Sequence, residues 1–394
     1  HGRDKRVTMV TSVAKVFRVL VPVVVFILVA VCFTENGSNI PYPSGPPEIL
    51  ISPTPTIPPT PSGAPFTETI KASVPTTPSG DSAPKKTSLQ DFQIFPDDHI
   101  WNVPINTMPV DSRSVSYINS IGRSSYLGMY RGIPYNVVND SVIHQKVSLL
   151  RSWSDFIQYP VPENPLIEPG GNDKHMIIVD QDEGMLYEFY KASRSADGTW
   201  HAQSGFSYNL SGYALRPKGY TTADAAGLPI FPGLVRYDEV SSGAINHALR
   251  VTVPATNHSY VWPARANGND GNTDGTYPPM GQRFRLKASF STSGYPPHAK
   301  TILEALKKYG MMVSDMNGET RVFELVFAPD ARWNDDDLSA LFQVHGSDFE
   351  AVDVSSLMIN VNSGQARTST PGTPTPPAAA FSATATYLKV QFTS

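Results

Sequence analysis

Thirteen prolines stand between Pro41 and Pro84, interleaved with Thr and Ser, and neither a helix nor a sheet can run through such a stretch. The segment has too little large apolar surface to bury and favours extended polyproline geometry. Residues 34–90 therefore read as a linker, open to O-glycosylation, and residues 363–380 repeat its chemistry with TSTPGTPTPPAAA. What can fold is confined to the stretch between them, residues 91–362, about 270 residues and enough for one large core or two smaller ones.

Upstream, Lys5, Arg6, Lys15 and Arg18 precede the uncharged run Val19–Phe33 (VLVPVVVFILVAVCF). A basic flank before an apolar run marks a signal peptide or short signal anchor, residues 1–33. Its fifteen residues fall short of the ~20 that span a bilayer as a helix. The flank places the N-terminus inside and everything later outside, so an extracellular or cell-surface location is expected, with a membrane contact if the segment is retained. The lone cysteine, Cys32, sits in this run and reads as one more apolar residue. The folded part thus has no disulfide and no thiolate metal site. The chain opens on His1 and stops within an apparent strand, and it reads as a piece of a longer product.

Net charge is −4 with 17% charged residues, and no basic stripe stands out, which argues against nucleic acid as a partner. Periodicity within 91–362 is mainly of period two. Lys174–Asp180 and Met185–Tyr190 predict a hairpin across Gln181–Gly184, with Glu188 on a half-exposed face. Further strands are expected at 132–150, where His144 becomes a sheet-face residue, at 200–207 and at 228–240. Ile245–Val253, Ser259–Ala264 and Arg283–Phe290 complete the set, the last with Arg283 and Arg285 outward. Helices are expected at Val110–Ile121, with Val115, Ile118 and Ile121 on one face, at Pro297–Tyr309 ended by Gly310, and at Asn334–Phe342 behind the acidic turn Asp335–Asp337. The sum is a mainly β domain, a β-sandwich or jelly-roll-like body with a few peripheral helices.

Hydrolysis of a glycosidic bond wants two carboxylates across a cleft, and Glu188, Asp224, Asp238 and Glu239 are the candidates. Eliminative cleavage of an acidic polysaccharide wants a His or Tyr base with Arg or Asn to neutralise the substrate, roles open to His247, Tyr237, Arg236, Arg250 and Asn246. Trp262 joins the substrate-binding set. A core role for His247 competes with the catalytic one, because period two sets it beside Leu249 and Val251. Asp270, Asn272, Asp274 and Gly275 match the opening half of a calcium loop, but Gly281 stands where an EF-hand needs its bidentate Glu. That leaves a looser surface calcium loop. There is no nucleophile elbow, zincin motif, phosphate loop or dinucleotide fingerprint.

On the motifs FPDDHIWN (Phe95–Asn102), ADAAGLPIFPGLVRYDE (Ala223–Glu239), HALR (His247–Arg250) and GSDFEAVD (Gly346–Asp353), residues 91–362 resemble a family of exported bacterial and archaeal surface domains. The resemblance implies location and domain extent, and it places a His where this chain has Ala266. Phe381–Ser394, alternating at Leu388, Val390 and Phe392, resembles the start of a PKD repeat, a small β-sandwich. With the candidate side chains above, the expectation is an exported carbohydrate-active enzyme, a glycoside hydrolase or polysaccharide lyase acting on extracellular polysaccharide or wall glycan. The alternative is a non-catalytic adhesion or glycan-binding protein.

Overall fold

Strands outnumber helices in this protein, and the computed structural model describes residues 89, 92–268, 272–318 and 322–368. The N-terminal segment, the first linker up to residue 88 and the PKD-like start lie outside the described residues. No helix among the described residues is long and apolar enough to cross a membrane.

In chain order the elements are α1 (Ser114–Ile121), β1 (Tyr126–Tyr130), β2 (Tyr135–Val138), β3 (Gln145–Leu149), β4 (Gln158–Tyr159), β5 (Met176–Asp180) and β6 (Met185–Tyr190). Next come β7 (Ser193–Arg194), β8 (Trp200–Ala202), β9 (Ser204–Asn209), α2 (Tyr237–Ser242), β10 (Leu249–Val253), β11 (Arg283–Leu286) and α3 (Pro297–Lys308). The last are β12 (Met311–Met316), β13 (Val322–Val326), α4 (Asp335–Ser339) and β14 (Phe349–Val352). The domain is mainly β with a few short helices, as the periodicity predicts.

The strands form three sheets, ordered β1-β13-β10-β12-β11-β14, β2-β5-β6-β9 and β4-β3-β8-β7. All three are mixed: β1/β13, β10/β12, β2/β5 and β3/β8 run parallel, among antiparallel neighbours. The expected β5–β6 hairpin is present, in register from Met176↔Phe189 to Asp180↔Met185. Both faces of this hairpin are covered. Ile177, Val179 and Leu186 enter the main core, whereas Met176, Ile178, Tyr187 and Phe189 enter a second core shared with Val147, Trp200 and Ala202 of the third sheet. The second sheet is therefore a middle layer. A strand buried on both faces shields whatever polar group it carries from water, and β6 carries Glu188.

Helix α3 buries the stripe foreseen for it, Ala299, Ile302, Leu303, Ala305 and Leu306, and Gly310 follows at φ 68°. Asn334 caps α4 by accepting from the backbone N–H of Asp336 and Asp337. Four expectations need correction. Helix α1 starts at Ser114 and turns Val115 outward, 68% exposed, because Tyr117 takes the buried position. Ser259–Ala264 pairs only through a single bridge, Tyr260↔Met280. Arg283 points inward and is 0% exposed. With no acid beside it, its guanidinium donates to the carbonyls of Ile100 (3.0 Å) and Tyr309, and burial pushes it down to about 9. The fourth concerns residues 237–242, which are helical. Arg236 enters extended, Asp238 and Glu239 sit in the first turn where the helix dipole favours acid, and Gly243 closes it left-handed at φ 89°.

The fold also extends past residue 362. Bridges His99↔Gln365, Ala214↔Ser363 and Met358↔Ala366 stitch that segment to the body.

Segment Phe231–Gly233 is a single 3-10 turn that crosses β10 very closely. A Cβ on Gly233 would meet Arg250 Cβ at 2.8 Å and Trp101 Cζ3 at 2.9 Å. Gly233→Ala is expected to cost ~1–3 kcal/mol through overpacking, read as a lowered thermal midpoint. A midpoint equal to wild type would mean that this crossing is looser than described.

Candidate functional site

The site is built from the turn preceding α2. Asp224 Oδ1 accepts the N–H of Ala226 (2.9 Å) while Oδ2 accepts Arg250 Nη2 (2.6 Å), which ties the turn to β10. Both residues are buried, so the pair is a structural anchor. Burial pushes Asp224 up to about 6, against the pull of Arg250. Four residues beyond Ala226, the N–H of Ile230 and of Phe231 donate to the Glu188 carboxylate at 2.8–2.9 Å. Glu188 is 0% exposed and pushed up to about 7 by burial, the two backbone bonds opposing the rise. The half-exposed face expected for Glu188 is therefore corrected. Its carboxylate is fully occupied with backbone and does not reach a substrate.

Anchored in this way, the chain delivers Arg236. Its guanidinium stacks over the Phe231 ring (4.8 Å), Nη1 donates to the Phe231 carbonyl (2.8 Å) and Nη2 donates to Glu239 Oε1 (2.5 Å). One helical turn is what brings Glu239 back onto Arg236, three residues along. His247 completes the group just before β10. Its Nδ1–H donates to the Ala248 carbonyl (2.8 Å), leaving Nε2 3.0 Å from Arg236 Nη2 and 3.2 Å from Glu239 Oε2. Nε2 can thus hold a lone pair that accepts from Arg236, or a proton donated to Glu239. Burial raises the Glu239 carboxyl, but the charges of Arg236 and His247 overcome it and bring it down to about 2. The carboxylate is fixed as an anion and is no proton donor. These three side chains line a cleft of about 560 Å³ with Gln93, Asp97, Asn102 and Asn246.

The other predicted residues go elsewhere. Asp238 pairs with Arg332 (2.9 Å), which lies over the Tyr237 ring at 4.2 Å, and Tyr237 lines a separate groove with Tyr135 and Asp330. Asp238 and Glu239 are neighbours on helix α2, and a helical step of about 100° sends them to different surfaces. Arg250 is spent on Asp224. Trp262 donates through Nε1 to the Ser363 carbonyl (2.8 Å) and edges a third groove. Of the calcium loop, Asp270 lies outside the described residues; Asn272 and Asp274 accept from the N–H of Asp274 and Thr276, as in Asx turns.

His99, framed by Asp98 and Trp101, is 3% exposed, stacks on Phe95 at 4.0 Å and is lowered to about 3 by burial, so it is a core residue. The sequence reading missed the cleft's other wall. Gln93, Asp97 and Asn102 come from the opening segment, where Asn102 Nδ2 donates to the carbonyls of Ile94, Phe95 and Pro96 and sets the loop. The polar centre of FPDDHIWN was the available signal. Also missed was His175, buried with Nδ1 2.6 Å from Glu168 Oε2 and Nε2 3.0 Å from the Ala223 carbonyl. Both ring nitrogens face acceptors, the arrangement of an imidazolium. Burial works to lower His175, yet Glu168 outweighs it and the net direction is up.

No family model matches the chain, and neither a curated protein nor a solved structure was found to match it.

Glu239 generates a pH prediction. Its carboxyl lies below its ordinary value in the fold, so it adds stability above about pH 4.5 that is lost as pH falls toward 2. Glu239→Gln should flatten that part of the thermal-midpoint profile while leaving the neutral side's slope alone. Parallel acid limbs for the two proteins would remove Glu239 from the linkage.

Proposed function

We propose that the domain is an exported enzyme that cleaves an acidic polysaccharide by elimination, with His247 as the base. The observation that carries this reading is the meeting of His247 Nε2, Arg236 and Glu239 on one open cleft. Exported placement rests on the basic flank and apolar run at residues 5–33.

Of the four carboxylates considered for hydrolysis, only Glu239 lines this cleft, and it is held ionised. Asp97 offers a second acid in the cleft, but Glu239 is already paired with Arg236 and His247, and elimination is the reading that uses this pairing. A substrate carboxylate competing for Arg236 would draw the guanidinium from Nε2 and release its lone pair. Nε2 then takes the proton from the carbon next to that carboxylate. The electron pair forms a carbon–carbon double bond, the glycosidic C–O bond at the adjoining carbon breaks, and the departing oxygen is protonated by water. Asn246 and Gln93 line the same cleft and would hold substrate hydroxyls.

A second reading, glycan binding without cleavage, is favoured by one feature. Trp153 and Tyr220 lie 5.8 Å apart with their rings tilted by 32°, edging a groove beside Arg216. Aromatic faces of this kind hold sugar rings without reacting.

The purified protein, incubated with a panel of acidic and neutral polysaccharides, should release unsaturated products from an acidic member. His247→Ala should lower that release ~10²–10⁴-fold, the usual share of a general base. Release of reducing ends without unsaturation would replace elimination by hydrolysis. Binding without product, lost in Trp153→Ala and kept in His247→Ala, would establish the second reading.

A further inference from the structure

We propose that His144, Asp180 and Glu183 form a binding site for a divalent cation of the zinc class at the β5–β6 turn. One donor atom from each of the three lies within 4.8 Å of the others. His144 Nε2 and Glu183 Oε1 are 3.7 Å apart, too far for a hydrogen bond. That spacing is close to the ~3.4 Å between two donors of a tetrahedral ion with bonds of about 2.1 Å.

The independent sign of a missing ligand is Asp180. Its side chain ends β5 and the residue is 1% exposed. Oδ1 accepts the N–H of Asp182 and of Glu183, both at 3.0 Å, while buried Oδ2 has no hydrogen-bond partner. A buried carboxylate oxygen left without a donor is costly, and a cation is the group that satisfies it.

The surroundings are arranged as outer supports of a metal site are. Tyr187 donates its hydroxyl to Glu183 Oε2 (3.0 Å), turning Oε1 toward His144, and the same ring meets the imidazole edge-on at 6.3 Å. The backbone N–H of Asp140 donates to Asp182 Oδ2 (3.1 Å), which already draws the 139–144 loop toward the turn. Two carboxylates balance the charge of a divalent ion. The imidazole selects zinc-class ions over calcium, which prefers oxygen alone. With three protein donors, water completes the coordination. The ion would clamp the loop before β3 onto the hairpin that carries Glu188, apart from the residues lining the His247 cleft.

The test is a calorimetric titration of the full chain with Zn²⁺ after treatment with a chelator and its removal. One equivalent should bind and raise the melting temperature. His144→Ala and Asp180→Asn should each weaken binding at least tenfold, and Tyr187→Phe about tenfold as an outer-shell partner. His201→Ala should leave it unchanged. His144 lies on a partly exposed loop, so its variant remains informative if Asp180→Asn fails to fold. No binding, equal binding by His144→Ala and wild type, or displacement of Zn²⁺ by an equal concentration of Ca²⁺ would each overturn the site.

Discussion

Everything around the cleft depends on a carboxylate that never sees solvent. Glu188 sits on a strand of the middle sheet and receives the N–H groups of Ile230 and Phe231. Without it, two buried donors would go unpaired at ~1–3 kcal/mol each. Burying the carboxylate is itself unfavourable, which is why its proton is held to about 7. The gain is positional. The 230–231 turn is fastened to β6 from one side, while the Asp224–Arg250 pair fastens the preceding turn to β10. His175 adds a third fastening by holding the Ala223 carbonyl next to Asp224. Between these fixed points the chain has little freedom over where Arg236 emerges.

Glu188 and Glu239 show how far position alone separates two identical side chains. Glu188 is shut into a core and takes only neutral N–H donors, so burial dominates and pushes its carboxyl up to about 7. Glu239 sits at the edge of a cleft between Arg236 and His247, so charge dominates and the proton is shed. Here Glu188 holds the 230–231 turn that leads into Arg236, the partner of Glu239.

Much of the fold was legible in the sequence because apolar period survives in it. The β5–β6 hairpin and the stripe of α3 are both written in residue spacing, and both formed where expected. The site was only partly legible. Arg236, Glu239 and His247 were among the candidates, but so were Asp238, Tyr237 and Trp262, which the fold sends to other surfaces, and Arg250, which it buries against Asp224. Two physical reasons account for the difference. VRYDEV carries strand-forming residues, and only the left-handed Gly243 and the acidic first turn favour the short helix that decides where each carboxylate points. Period two also reveals which face a residue takes but not what covers that face, so Glu188 and Arg283 looked half-exposed and outward. Gln93, Asp97 and Asn102 reach the cleft from well over a hundred residues away, a proximity that no local pattern encodes.

The most direct measurement is a ¹³C NMR titration of the Glu188 side-chain carboxyl in the folded protein, assigned through the loss of its signal in Glu188→Gln. A buried carboxylate holding the 230–231 turn should titrate near 7, with folding stability declining as pH rises through that value. Titration at the ordinary glutamate value of about 4.3 would mean that water reaches the group, and the anchoring of the cleft would have to be sought elsewhere.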